Sequence, residues 1–308
     1  MDKASSQRIF ATKDLKSGDC EISQVVFDSG IIQIGAFRCR PDHPFFHEAG
    51  QPGQTCFFVF PRTAVEIQHE REAPFVANPN VVTFYNPGQA YRRNAISPEG
   101  DLCDWFAVET QFARDLIREI DLCIDDRPAW PFFRSRAWSD TSTYLLQRRL
   151  FTQITSGRST EPLAVEETVV ELLGRVTRSA YATCGVHFPS SITRRQRDTV
   201  HDIETVLCRP PEERLTLKGI ARDVGLSPYH VCRIFRRATG KTLHHYRLQF
   251  RLRTALTQVL ESTKPLTDVA LDGGFSSHSH FTDRFRYAFG ETPSLLRTGL
   301  NPSGKLTQ

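Results

Sequence analysis

Between Leu215 and Arg297 the chain repeats itself, and a duplicated unit of this size leaves few folds open. The first copy, Leu215 to Thr242, reads LTLKGIARDVGLSPYHVCRIFRRATGKT; the second, Pro265 to Pro293, reads PLTDVALDGGFSSHSHFTDRFRYAFGETP. Ala221/Ala270, Gly225/Gly274, Ser227/Ser276, Phe235/Phe285 and Gly240/Gly290 align at a spacing of about 50 residues, as a duplicated supersecondary unit would place them.

Each copy has the pattern of two short helices joined by a sharp turn. Leu217 to Val224 reads as the first helix, with the Thr216 hydroxyl placed to accept an orphan amide. Ala221 lets a second helix approach, and Gly225 supplies the left-handed residue of the turn. Ser227 can cap the next helix, whose apolar residues Val231, Ile234, Phe235 and Ala238 fall at i, i+3, i+4 and i+7. With that stripe inward, Tyr229, Cys232, Arg233 and Arg236 face out. In the second copy Ala270, Gly274, Phe281, Phe285 and Phe289 play the same parts, leaving His278, Ser279, Thr282, Asp283 and Arg286 outward. Tyr246 to Leu260 reads as one helix joining the copies and fixing the two outward faces.

Charge divides the chain at the same place. Residues 191–308 hold 19 Lys and Arg against 11 Asp and Glu, a net +8, and the first 190 residues carry −4. A basic module joined to an acidic one suits phosphate binding by one part and a different task for the other.

The C-terminal third resembles the DNA-binding domain of the AraC/XylS family of bacterial transcription regulators. The second copy carries the family's pattern in Ala270, Gly274, Phe275, Ser279, Phe281, Phe285, Gly290, Thr292, Pro293 and Arg297, and RLRTALTQVL (Arg251 to Leu260) is similar to its connecting helix. Leu296, where an aromatic is common, and Asp283, where a basic residue is common, depart from it. The resemblance implies an α+β multidomain chain: a cupin-like β-barrel with dimerisation helices over 1–185, a linker at 186–192, and an all-α double helix-turn-helix over 193–300. It further implies a transcription regulator, an activator by family habit, that places two recognition helices in successive major grooves about 34 Å apart. Arg233 is then the candidate for a bidentate guanine contact. The implied partners are double-stranded DNA, RNA polymerase, a small-molecule effector and a second copy of the chain.

Upstream, Ile22 to Phe27, Ile31 to Cys39, Cys56 to Pro61, Thr63 to His69, Val81 to Tyr85 and Cys103 to Val108 read as short strands broken by Pro, Gly and Asn, a spacing that suggests a small β-barrel or jelly roll. Asp28-Ser29-Gly30 reads as a hairpin connection. Helical periodicity returns at Gln111 to Glu119, Thr141 to Gln153 and Pro162 to Tyr181. The last carries a broad stripe (Leu163, Val169, Val170, Leu172, Leu173, Val176, Ala180), to be buried either within the chain or against a second copy. Arg38, Tyr85, Tyr91, Arg92 and Trp105 are the candidate effector contacts, with core aromatics and surface arginines as the alternative.

No cofactor or metal is expected, and no enzymatic activity. Tyr91 stands where the turn Asn86 to Tyr91 would carry a metal-binding histidine, and His43 and His47 sit in a Pro- and Gly-rich loop. The eight cysteines form no C-x-x-C pair, so neither a thiolate zinc site nor a dithiol motif is written locally. The N-terminal residues lack an apolar leader core, and no apolar run nears the ~20 residues of a membrane span. A cytoplasmic, nucleoid-associated bacterial protein is expected. Two alternatives remain: an alkyl-transfer DNA-repair enzyme fused to the same DNA-binding domain, which needs an activated cysteine, and a regulator whose barrel is purely structural.

Overall fold

A computed structural model of the chain describes residues 22–157, 160–185 and 193–300. The segment read for a leader and the linker expected at 186–192 lie outside the described residues. Among the described residues nine strands are formed: β1 (Ser23–Asp28), β2 (Ile32–Cys39), β3 (Cys56–Pro61), β4 (Val65–His69), β5 (Phe75–Ala77), β6 (Val81–Tyr85), β7 (Tyr91–Ala95), β8 (Asp101–Val108) and β9 (Arg136–Trp138). They build two sheets, a six-stranded one in the order β1-β2-β8-β3-β6-β9 and a three-stranded one in the order β5-β4-β7. Where a small β-barrel or jelly roll was expected, the strands form two sheets with no ladder joining them among the described residues, so no closed barrel is found. The β1–β2 hairpin forms as expected: Gly30 takes φ 91° and its amide donates to Asp28 Oδ1 at 2.8 Å.

Strand alternation sorts the large sheet's side chains into two layers. Phe37 on β2, Phe57 and Val59 on β3 and Cys103 and Trp105 on β8 pack in one cluster with Val65, Ile67 and Tyr91 of the small sheet. The opposite members, Ile34, Phe58, Phe60 and Phe106, join a second core. That core is covered by α1 (Thr110–Arg118), α2 (Thr141–Thr155) and α3 (Pro162–Gly185).

The C-terminal helices are α4 (Arg194–Leu207), α5 (Leu217–Asp223), α6 (Pro228–Thr239), α7 (Leu243–Glu261), α8 (Leu266–Asp272), α9 (His278–Phe289) and α10 (Pro293–Leu300). Val231 and Phe235 of the first copy close on Val200, Ile203 and Tyr246 in a core of their own. The second copy behaves differently. Its Val269, Phe281, Phe285 and Phe289, with Leu252 and Leu256 of α7, belong to the same core as the large sheet and α1–α3. The second copy is therefore built into the N-terminal part. Each such phenylalanine is worth roughly 1.5–3 kcal/mol on burial.

Polar groups fix the same junction. Arg253 of α7, fully buried, donates to Pro79 O at 2.6 Å and Ser139 O at 2.7 Å. Tyr246 Oη accepts from Asn78 Nδ2 at 2.7 Å, and Asn80 Nδ2 donates to the Tyr246 carbonyl at 3.0 Å. Arg148 of α2, also fully buried, pairs with Asp104 on β8 and with Glu261 at the end of α7, and Arg62 pairs with Glu261 from the other side. Two cations thus meet two carboxylates, with Arg148 and Asp104 fully buried and Glu261 at the exposed edge. Buried ion pairs of this kind specify an arrangement more than they add net stability.

The apolar stripe of α3 is buried within the chain: Val169, Leu172, Leu173 and Val176 are at most 1% exposed, whereas Leu163 and Val170 remain 57% and 37% exposed. Most of the surface on which a dimer was expected is therefore already covered.

Candidate nucleic-acid interface

Both copies form the turn in the same way. Leu226 N donates to Ala221 O and Phe275 N to Ala270 O, each at 2.9 Å, while Gly225 and Gly274 adopt φ 66° and 69°. The buried alanines admit the second helix, and the left-handed glycines turn the chain into it. The two glycines are not equivalent. A Cβ on Gly225 meets nothing within 4 Å, but one on Gly274 would lie 2.2 Å from Pro211 O.

The caps correct the alignment by one residue. Ser227 Oγ accepts from His230 N, and its counterpart is Ser277, which accepts from His280 N. Ser276 instead contacts the His280 ring through Nδ1. The second copy thus has one extra residue between its turn glycine and its cap. Gly240 and Gly290, at φ 70° and 80°, close the two helices.

On α6, Tyr229, Cys232, Arg233 and Arg236 are exposed, and neither arginine meets an acidic side chain among the described residues. On α9, His278, Ser279, Asp283 and Arg286 are exposed and Thr282 is half-buried. Asp283 forms no ion pair with Arg284 or Arg286 among the described residues. On α4 and α5, which pack beside α6, Arg194, Arg195, Arg197, Lys218 and Arg222 are all exposed, and nothing in their local sequence pattern singled them out.

Other arginines of this region hold the scaffold. Arg247 gathers the carbonyls of Leu207, Arg209 and Pro210. Arg251 donates to Gly273 O at 2.6 Å and lies over the Phe275 ring at 4.5 Å, steadying the second turn. Arg297 donates to Val259 O and Lys264 O. The positive charge of the C-terminal part is therefore split between an outward set and an inward set.

A second candidate site lies between the two sheets. A narrow cavity is walled by Phe57, Val59, Ile67, Tyr85, Tyr91 and Trp105, with Asp101 and Thr83 among its few polar groups. Of the five effector contacts expected from sequence, Tyr85, Tyr91 and Trp105 line it. Arg38 and Arg92 do not: both are exposed, because alternation turns them to the outer faces of β2 and β7. Arg93 takes the inward position instead, 3% exposed, and donates to Tyr91 Oη at 2.8 Å. The B-e-B burial of Tyr91-Arg92-Arg93 is the signal that could have found it. Burial raises the Asp101 carboxyl above the ordinary range against the pull of Arg93.

His43 caps the short turn at Pro44–His47 by accepting from Phe45 N, and the His47 ring contacts Pro41 O. Both histidines thus serve their loop. Among the described residues no group of three His, Cys, Asp or Glu is arranged to hold a metal ion. Burial pushes the Cys39 thiol up to about 11 and Cys56 up to about 12, far from the thiolate that alkyl transfer requires. No helix among the described residues is long and apolar enough to cross a membrane.

These features define a double helix-turn-helix unit of the DNA-binding class. A family described as a helix-turn-helix domain matches residues 220–299. The chain is 34% identical over 86 residues to the regulatory protein SoxS of Salmonella typhimurium, covering 28% of this chain and 80% of that protein. It is 34% identical over 86 residues to the transposon Tn10 TetD protein of Escherichia coli, covering 28% of this chain and 62% of TetD. It is 33% identical over 85 residues to the bifunctional transcriptional activator/DNA repair enzyme AdaA of Bacillus subtilis, covering 28% of this chain and 40% of AdaA. The chain belongs to the AraC/XylS family of bacterial transcription regulators.

Proposed function

We propose that this chain is a sequence-specific DNA-binding transcription regulator whose N-terminal sandwich is a cupin-like sensor for a small molecule. One observation carries the reading: α6 and α9 each present an exposed polar face with an arginine that meets no acidic side chain among the described residues, and both are braced against α7. The two helices enter successive major grooves. Arg233 reads a guanine edge, with Tyr229, Cys232 and Arg236 beside it and His278, Ser279, Thr282 and Arg286 in the second groove. Arg194, Arg195, Arg197, Lys218 and Arg222 meet phosphates, which position the protein without reading sequence. RNA polymerase is the partner through which such a regulator acts, as an activator, and this work belongs to the bacterial cytoplasm and nucleoid.

The pairing of chains that the resemblance implies has only Leu163 and Val170 of the expected stripe left to use. A single protomer with two recognition helices is accordingly the DNA-binding unit. Selection of bound duplexes from a random pool by the full chain tests the function. Two conserved half-motifs about one helical turn apart are expected, and a pool that fails to enrich would remove the reading. The purely structural sandwich is disfavoured by the lined cavity, and the repair enzyme by Cys39, Cys56, Cys103 and Cys208, whose thiols are buried and raised.

A further inference from the structure

The two recognition helices end alike. Gly240 and Gly290 each close a helix in the left-handed conformation. The hydroxyls of Thr242 and Thr292 then cap the helices that follow, accepting from His245 N and Leu295 N. Lys241 and Glu291 therefore hold the same place in the two copies, between the closing glycine and the next cap. Their charges are opposite, so they need different partners.

The N-terminal part touches each copy at this place. Lys241 Nζ lies 4.8 Å over the Trp138 ring. Trp138 is fixed by its pairing with Val81 across β9 and β6, and by Ser179 of α3, whose hydroxyl donates to its carbonyl at 2.6 Å. In the second copy Glu291 accepts from Arg149 Nη2 at 2.8 Å. Arg149 follows Arg148, which anchors α2 to Asp104 and Glu261, so its backbone is equally well held. A cation on an aromatic ring and an ion pair thus grip equivalent turns of the two units.

The grip matters because of the length of the helices it restrains. α6 and α9 have 12 residues apiece, or about 18 Å. A tilt of roughly 10° displaces one end of such a helix relative to the other by about 3 Å, close to the ~3.4 Å between successive base pairs. Packing seats each helix on its own unit, and a hold on its closing turn limits the tilt that packing leaves.

We propose that Trp138 and Arg149 are positioning residues that hold the two recognition helices at one mutual tilt, so that the N-terminal part selects which separation of half-sites the chain accepts. This inference rests on the reading of α6 and α9 as DNA-reading helices and adds what decides their register on the duplex. Neither residue needs to touch DNA for this.

The experiment uses the full chain and duplexes carrying its two selected half-motifs, at the selected separation or with one base pair inserted or removed. A duplex with one half-motif scrambled reports any uniform change in affinity. The measured quantity is the ratio of dissociation constants between the altered and the selected separations. The parent is expected to discriminate by at least roughly tenfold, as for a misplaced base contact. Arg149→Glu, which sets two carboxylates against each other, should lower that ratio by about two- to fivefold, the range that an exposed pair supplies. The exchanged pair, Arg149→Glu with Glu291→Arg, should restore it. Lys241→Met, which leaves Trp138 in place, should lower the ratio in the same direction. An unchanged ratio in Arg149→Glu or Lys241→Met, an exchanged pair that restores nothing, or a parent indifferent to separation would overturn the inference while leaving the regulator reading intact. Failure of the parent to bind any of these duplexes would sink both together.

Discussion

Replacing Arg148 by methionine removes the cation at the centre of the junction between the sheets and the DNA-binding helices. Arg148 is 0% exposed and binds Asp104, itself 0% exposed, and Glu261 across the junction. In the variant Asp104 retains Arg62 at 3.7 Å and the Gln147 amide at 2.8 Å, so its charge stays buried with weakened support. Removing one partner of a buried pair costs about 3–5 kcal/mol, whereas the unbranched methionine fills much of the vacated volume and keeps the cavity penalty small. At about 2–4 °C per kcal/mol, the melting temperature should fall by roughly 6–12 °C at the least expected cost. Because Glu261 belongs to α7, the chain should unfold in one transition by both tryptophan fluorescence and far-UV circular dichroism. Scanning calorimetry of the parent, Arg148→Met and Glu261→Gln is the assay, with both variants moving the same single transition. Two separate transitions, or an Arg148→Met shift below about 1 °C, would refute the idea of one shared core.

His69 is buried among Phe75, Tyr85 and Tyr91, and burial holds its pKa down at about 4 from 6.5. The unfolded chain binds the proton first, so stability is full above pH 6.5 and is lost as pH falls towards 4, by about 3 kcal/mol. Urea midpoints from pH 7 to 4 should reveal this loss, and His69→Phe should flatten it; identical profiles for the two chains would contradict it. Gly225→Ala should cost about 1–2 kcal/mol for its left-handed backbone. Gly274→Ala should cost clearly more, because its Cβ would strike the Pro211 carbonyl; equal costs in urea would mean that the contact yields freely. Asp283 is exposed and unpaired among the described residues, so Asp283→Ala should bind matched and scrambled duplexes alike more tightly, by about 0.2–1 kcal/mol. Loss of discrimination at one base pair would instead assign Asp283 to readout.

The helix-turn-helix units were legible because local rules write them: a hydroxyl cap, a turn glycine and an apolar stripe within 28 residues. The error at Ser276 came from matching identical letters across an inserted residue, where the cap geometry at Ser277 decides. The missed strands have physical reasons. β5 and β9 are three residues each, and β7 hides because one of its inward residues is the charged Arg93. A buried arginine reads as surface until its ring contacts and its partner Asp101 are seen. The same disguise covered the junction: Arg148, Arg247 and Arg253 look like solvated helix charges, but each is held by groups distant in sequence. Long-range partners leave no periodic trace, so the fusion of the second copy with the N-terminal core could not be read locally.

One protomer is expected to grip DNA with two helices. Hydroxyl-radical footprinting of the full chain on its selected duplex, with the parent, Arg233→Ala and Arg286→Ala compared, tests it most directly. Two protected patches about one turn, or 10 base pairs, apart on one face of the duplex are expected. Arg233→Ala should weaken one patch and Arg286→Ala the other, each at a cost of about 1–3 kcal/mol. A single patch, or two patches that both fade equally in either variant, would contradict it.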